Sequence, residues 1–230
     1  MATSTMEFEQ LLYDELIPEY CSNPERNCQP AGFRADSIRI SEEDAQYFLI
    51  ARKKGLILSV GSGRYRAPAS NVTELFFWEG RKAASPRPFT LWLEPVITFA
   101  GLARLHLDHG WPIEKLGTQS IDWAFDIVAY AADPVREHIA GEVKKASREL
   151  DELILMMKAY GSKPSAADPG KADKRRNAFK KVEGLRARQA PIFWALGPMG
   201  DSRVYEASYS EGGAVALNLT NANTLKFPAI

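Results

Sequence analysis

The chain has 230 residues, 45% hydrophobic and 25% charged, with 29 basic residues against 29 acidic and a formal net charge of zero. This length can bury a proper core, as one large domain or a domain with an appendage, and the balanced charge excludes a globally basic nucleic-acid binder. Residues 89–107, the longest apolar run, are broken by Glu94, Pro95 and Arg104 and do not read as a membrane span, and residues 1–15 lack the pattern of a signal peptide.

Cys21 and Cys28 are too few for a zinc quartet and are expected as free thiols in a reducing cytoplasm. Phe8, Leu11, Leu12, Leu16 and Ile17 have helical spacing over residues 6–20, and residues 22–37, with Pro24, Pro30 and Gly32, read as loop. Ser41 caps a helix that runs to Lys54 and stops at Gly55. Leu56–Val60 and Arg64–Ala67 then flank Gly61-Ser62-Gly63, a hairpin signature. Over residues 41–68 this order resembles the last helix and wing of a winged-helix domain, without a diagnostic motif; the plainer alternative is a helix and hairpin packed on the main domain. An aromatic patch at residues 75–78 leads into a polar connection bearing Pro86 and Pro88, so a boundary is expected near residue 80. The chain then divides into an N-terminal segment, 1–80, and a main domain, 81–230.

Residues 89–109 are strongly helical, with Thr90 as a possible cap and Pro95 tolerable only in the first turns. A short connection or strand follows at 113–120. The next stretch, residues 121–145, reads as two apolar strands joined at Asp133-Pro134. Asp122 and Asp126 share one face of the first strand. Ala140, Glu142 and Lys144 share one face of the second, at residues 139–145. Ser147 is expected to cap a helix with the stripe Leu150, Leu153, Ile154 and Met157. Residues 162–176 read as a mobile loop, 177–188 as a helix and 190–196 as a buried strand. Two more strands are expected at 203–209 and 214–219. The fold class is α/β, a mixed sheet with helices on its faces.

Glu94 in the leading helix, Asp126 in the first clear strand and Glu142-Val143-Lys144 in the next resemble the PD-(D/E)XK nucleases, the restriction-endonuclease-like superfamily. The resemblance covers residues 89–200, mostly as a pattern of elements. The proline usual before the first acid is replaced by Phe125. The resemblance implies an endonuclease acting on DNA, with Asp126 and Glu142 as ligands of Mg²⁺ (Mn²⁺ substituting), Lys144 positioning the attacking water and Glu94 completing the site. A homodimer is an option, since many of these nucleases pair to cut both strands. The chemistry stands without the name. Mg²⁺ keeps several waters, so two carboxylates suffice when a substrate phosphate supplies further oxygens. An apolar strand is also a poor setting for an unpaired acid such as Asp126. Asp122 is the rival first acid, and Glu94 in a first helical turn has a dipole role as its alternative.

Residues 158–188 hold ten Lys and Arg residues against three acids. Lys174, Arg175, Arg176, Lys180 and Lys181, together with Arg64 and Arg66 of the hairpin, are the candidate DNA contacts. The neighbouring cations Arg52, Lys53 and Lys54 extend the hairpin surface. His106 and His109, at a helix end, read as dipole-favoured cations rather than ligands, and His138 as facing solvent or DNA. Two other readings stay open: a non-catalytic DNA-binding or regulatory protein on the same fold, and an interaction protein whose charges are only surface.

Overall fold

The computed structural model describes residues 2–122, 124–131, 136–170 and 173–228. Trp123, the Asp133-Pro134 turn and Lys171 lie outside them. Apolar residues at helical spacing near the N-terminus form one helical arm, α1 (Ser4–Leu11) and α2 (Ile17–Cys21), joined by a wider π turn at Leu12–Leu16. Helix α3 (Glu42–Lys53) starts where Ser41 Oγ accepts from the backbone N–H of Asp44, satisfying a donor that the helix leaves free. Strands β1 (Leu58–Ser59), β2 (Arg64–Arg66) and β3 (Glu74–Leu75) make a small antiparallel sheet. Strands β4 (Phe77–Glu79) and β5 (Phe89–Leu91) pair antiparallel, Phe77 opposite Leu91.

The boundary expected near residue 80 therefore falls inside a hairpin. Phe8, Phe48, Phe76 and Leu102, from both sides of that boundary, also belong to one hydrophobic core. Thr90 belongs to β5 rather than to a helix cap. Helix α4 (Leu93–His109) begins after Trp92, which puts Pro95 in the first turn, where its missing N–H is not needed.

Strands β6 (Leu116–Thr118), β7 (Ile127–Tyr130), β8 (Glu137–Val143), β9 (Ile192–Leu196), β10 (Ser202–Tyr209) and β11 (Val215–Thr220) form a six-stranded mixed sheet, ordered β11-β10-β9-β8-β7-β6. Only β8 and β9 run parallel. Between them lie α5 (Ser147–Gly161) and α6 (Lys174–Arg188). The cap of α5 is Ala146, without a side-chain bond, so Ser147 is its first residue and not its cap.

Alternation along the strands divides the core. Ile127, Ile139, Val143 and Trp194 face α4, whereas Ala140, Phe193 and Ala195 face α5 and α6. A Cβ on Gly101 would stand 2.7 Å from Leu196 Cδ2 and 2.9 Å from Ile127 Cδ1, so this glycine lets α4 lie close against the sheet. Among the described residues no helix is long and apolar enough to cross a membrane, and Cys21 and Cys28 are free.

Candidate active site

Ile121, Asp122, Ala124 and Phe125, expected inside a strand, lie outside one. Ser120 Oγ accepts from the N–H groups of Ala124 (2.9 Å) and Phe125 (3.0 Å) and donates to Asp122 Oδ1 (2.7 Å). Asp122 lies in a turn and reaches Arg188 Nη1 at 2.7 Å. Asp122 and Asp126 are thus separated, and only Asp126 reaches β8.

Asp126 stands one residue ahead of β7 and extends its pairing. Its N–H donates to Gly141 O (2.9 Å), and its Oδ2 accepts from the Val143 N–H (2.9 Å). Gln119 Nε2 approaches Oδ1 at 3.4 Å. Burial, together with the negative charge of Glu142, pushes the Asp126 carboxyl up to about 8, against the pull of Lys181 and Lys144. That repulsion brings the two carboxylates into one electrostatic unit.

Glu142, on the last turn of the β8 pleat, is 1% exposed. Each of its oxygens meets an ammonium: Lys144 Nζ donates to Oε1 at 2.5 Å, and Lys181 Nζ donates to Oε2. Burial works against its charge, but the two lysines outweigh it and hold the carboxyl below its usual range. Lys144 follows the end of β8, where its backbone N–H continues the parallel ladder to Leu196 O (3.0 Å). Desolvation disfavours its ammonium, yet Glu142, Asp126 and Glu94 push its pKa upward and keep it cationic.

Glu94, in the first turn of α4, shares a cleft of about 250 Å³ with Lys144, Lys145, Glu149 and Lys174. Its Oε2 accepts from Trp92 Nε1 at 3.3 Å. The structure therefore brings together Asp126, Glu142 and Lys144, with Glu94 beside Lys144. Asp126 and Glu142 offer hard oxygen donors and suit a divalent cation that retains its own waters. Among the described residues no set of three or more His, Cys, Asp and Glu is gathered for a metal.

Among the described residues, five of the ten cations of the basic segment are paired with acids. Lys174 pairs with Glu152, Arg176 with Asp168, Arg186 with Glu183, and Arg188 with Asp122 and Glu137. Lys181, expected on a DNA-facing surface, is instead inside the protein, bound to Glu142 and to Ala124 O at 2.7 Å. Arg175 and Lys180 remain exposed, as do Arg64 and Arg66, which flank the buried Tyr65. Arg52 is engaged by Glu15. Burial lowers the pKa of His109, against the pull of Asp108 and of the helix end toward a cation. His138 is half-buried, with its ring 5.8 Å from that of Trp111.

Lys181 is the residue of this cluster that the sequence placed on the surface. A signal was present: Ala178, Lys181, Val182 and Leu185 have the spacing of an inward helical stripe, with a lysine at one of its positions. Gln119, at φ 55°, carries no comparable signal. Comparisons with family models, curated proteins and solved structures return no match to this chain.

Proposed function

We propose that the chain is a Mg²⁺-dependent endonuclease of the PD-(D/E)XK type that hydrolyses phosphodiester bonds of DNA. The observation that carries this reading is the meeting of Asp126 and Glu142 on adjacent strands, with Lys144 at the exit of β8. The element order supports it: α4 leads into antiparallel β6, β7 and β8, and two helices return the chain to β9, parallel to β8. This is the order of elements on which the family resemblance rests, and it supports reading the six-stranded mixed sheet as restriction-endonuclease-like.

Asp126 and Glu142 would hold the metal, which when bound lowers the pKa of water and neutralises charge on the phosphate. The Val143 N–H fixes one oxygen of Asp126, so that carboxylate is pre-aimed. Lys181 does the same for Glu142 from α6, which covers that face of the sheet. The Lys144 ammonium has three donors; Glu142 Oε1 and Val143 O (3.1 Å) take two of them. The third can orient water or a phosphate oxygen. Because its charge is favoured, Lys144 acts as an electrostatic positioner and not as a base. Glu94 is placed to order a further water or ion in the cleft beside Lys144.

The test is incubation with plasmid, linear duplex, single-stranded DNA and RNA, with and without Mg²⁺ or Mn²⁺. Glu142→Ala and Lys144→Ala abolish metal-dependent cleavage while the fold persists, and Glu94→Gln lowers it. Full activity in both of the first two variants would sink the assignment. One observation favours a second reading, a non-catalytic DNA-binding protein on the same fold: ammonium groups already occupy both oxygens of Glu142. DNA binding without cleavage under either metal would select that reading.

A further inference from the structure

Beside the candidate active site runs a groove of about 930 Å³, at the upper end of the size that accepts a small organic ligand. Its floor is the β4–β5 hairpin. Trp78 projects from β4 with 64% of its surface exposed. The Trp92 ring lies edge-on to it, centroids 5.5 Å apart and planes at 81°. Met199, also exposed, lines the same groove.

Single exposed apolar side chains are ordinary on protein surfaces. This pair is set apart by its surroundings. Arg39 and Lys145 line the groove, both are exposed, and neither has an ion-pair partner among the described residues. Lys145 directly follows Lys144 and also lines the cleft of Glu94, so groove and cleft share a wall. Trp92 ties them a second time, through its indole N–H to Glu94.

An exposed indole flanked by unpaired cations is suited to a nucleic-acid strand: the ring stacks on a base and the cations take the phosphates. Bases inside a duplex are stacked on one another and cannot offer a face to Trp78, so the occupant must be unpaired. We infer that this groove receives an unpaired stretch of a DNA strand, with a base stacked on Trp78, and leads the adjoining phosphate to the cleft of Glu94 and Lys144. The inference rests on the nuclease reading of Asp126 and Glu142 and names the substrate of that site: single-stranded DNA, or the unpaired part of a branched or distorted duplex.

The experiment uses the full chain, a short oligothymidylate and a hairpin duplex of matched length. Binding is read first in EDTA by tryptophan fluorescence and by anisotropy of labelled DNA. The oligothymidylate is expected to bind more tightly than the duplex and to quench tryptophan emission. Trp78→Ala is expected to weaken that binding roughly 5- to 100-fold, the range for loss of one base–aromatic stack. Trp78→Phe, which keeps a ring, restores most of it. Equal binding of both DNAs that Trp78→Ala leaves unchanged would overturn the inference.

Cleavage is then read in Mg²⁺. Glu142-dependent cutting of duplex that Trp78→Ala does not alter would overturn the groove assignment and spare the nuclease. Trp78-dependent binding with no cleavage in Mg²⁺ or Mn²⁺ would overturn the nuclease reading instead.

Discussion

The ammonium of Lys181 meets the carboxylate of Glu142 inside the protein, 39 positions apart in sequence, with the two residues 4% and 1% exposed. A buried ion pair adds little net stability over a well-packed apolar pair, but removing one partner strands the other charge. Lys181→Met therefore costs about 3 kcal/mol in urea unfolding, toward the lower end for a broken buried pair because Lys144 still neutralises Glu142. Lys181→Met with Glu142→Gln recovers most of that loss. An unchanged urea midpoint in the single variant would show that the pair has no such role.

Asp126 supplies a pH signature. Its carboxyl is pushed up to about 8 by burial and by Glu142, from an ordinary value of 3.8. The folded state therefore keeps a proton that the unfolded chain has released. The stabilising contribution is complete below about pH 4 and is lost as pH rises through about 8. Asp126→Asn preserves an oxygen for the Val143 N–H and removes the buried charge. At pH 9, without metal, this variant is expected to be more stable than wild type by about 1–2 kcal/mol, in the manner of a functional residue that costs stability. If Asp126 holds the proposed metal, Mg²⁺ is expected to raise the melting temperature of wild type and to leave that of Asp126→Asn unmoved. A variant less stable than wild type at pH 9 would contradict this electrostatic account.

The local signals in the sequence carried much of this arrangement and failed at the long-range ones. The period of two put Glu142 and Lys144 on one face, and the continuous apolar run marked β9. The stripe from Leu150 to Met157 located α5. Asp126 stood out as an acid among apolar neighbours. What escaped depended on partners far away in the chain. The strand expected from Ile121 starts only at Ile127, and Ser120 Oγ takes up the N–H groups of Ala124 and Phe125 ahead of it. The pairing of Phe77 with Leu91 carries the structure across the expected domain boundary. The basic run of residues 158–188 resembled a phosphate-binding surface. Composition does not show which of its cations face acids, and Lys181 and Arg188 do.

Gln119 offers a test of support around the proposed metal ligands. It approaches Asp126 Oδ1 at 3.4 Å and also hydrogen-bonds Glu74, whose pKa is raised by burial. Oε1 of Glu74 is buried without a partner among the described residues, so this side of the site is short of donors. Gln119→Ala removes a shared donor without altering the side chain's Cβ at this positive-φ position. Apparent Mg²⁺ affinity in cleavage is expected to fall about tenfold, the effect typical of losing a group that orients a metal ligand. Unfolding free energy changes by less than about 1 kcal/mol. Unaltered Mg²⁺ dependence would show that Asp126 is held by the Val143 N–H alone.

The sharpest discrimination lies between the two aspartates that the sequence offered as first acid. Asp122 accepts from Ser120 and Ala124 and pairs with Arg188, and these contacts hold its carboxyl below its usual range although burial opposes them. Arg188 also reaches Glu137 of β8 at 2.8 Å and lies over the ring of Phe125, the neighbour of Asp126, at 4.9 Å. Asp122→Asn keeps the turn acceptor and loses only a partly exposed ion pair. It should cost about 1 kcal/mol and leave Mg²⁺-dependent cleavage near the wild-type rate. Asp126→Asn should abolish cleavage. Arg188→Ala should be the most destabilising of the three, by about 2–3 kcal/mol, because it strands the buried Glu137 carboxylate. Glu137, already raised to about 6 by burial, would then take up a proton at still higher pH, and the stability lost in Arg188→Ala should be regained on acidification through that range. The reverse pattern, with Asp122→Asn inactive and Asp126→Asn active, would move the metal to the turn and away from β8.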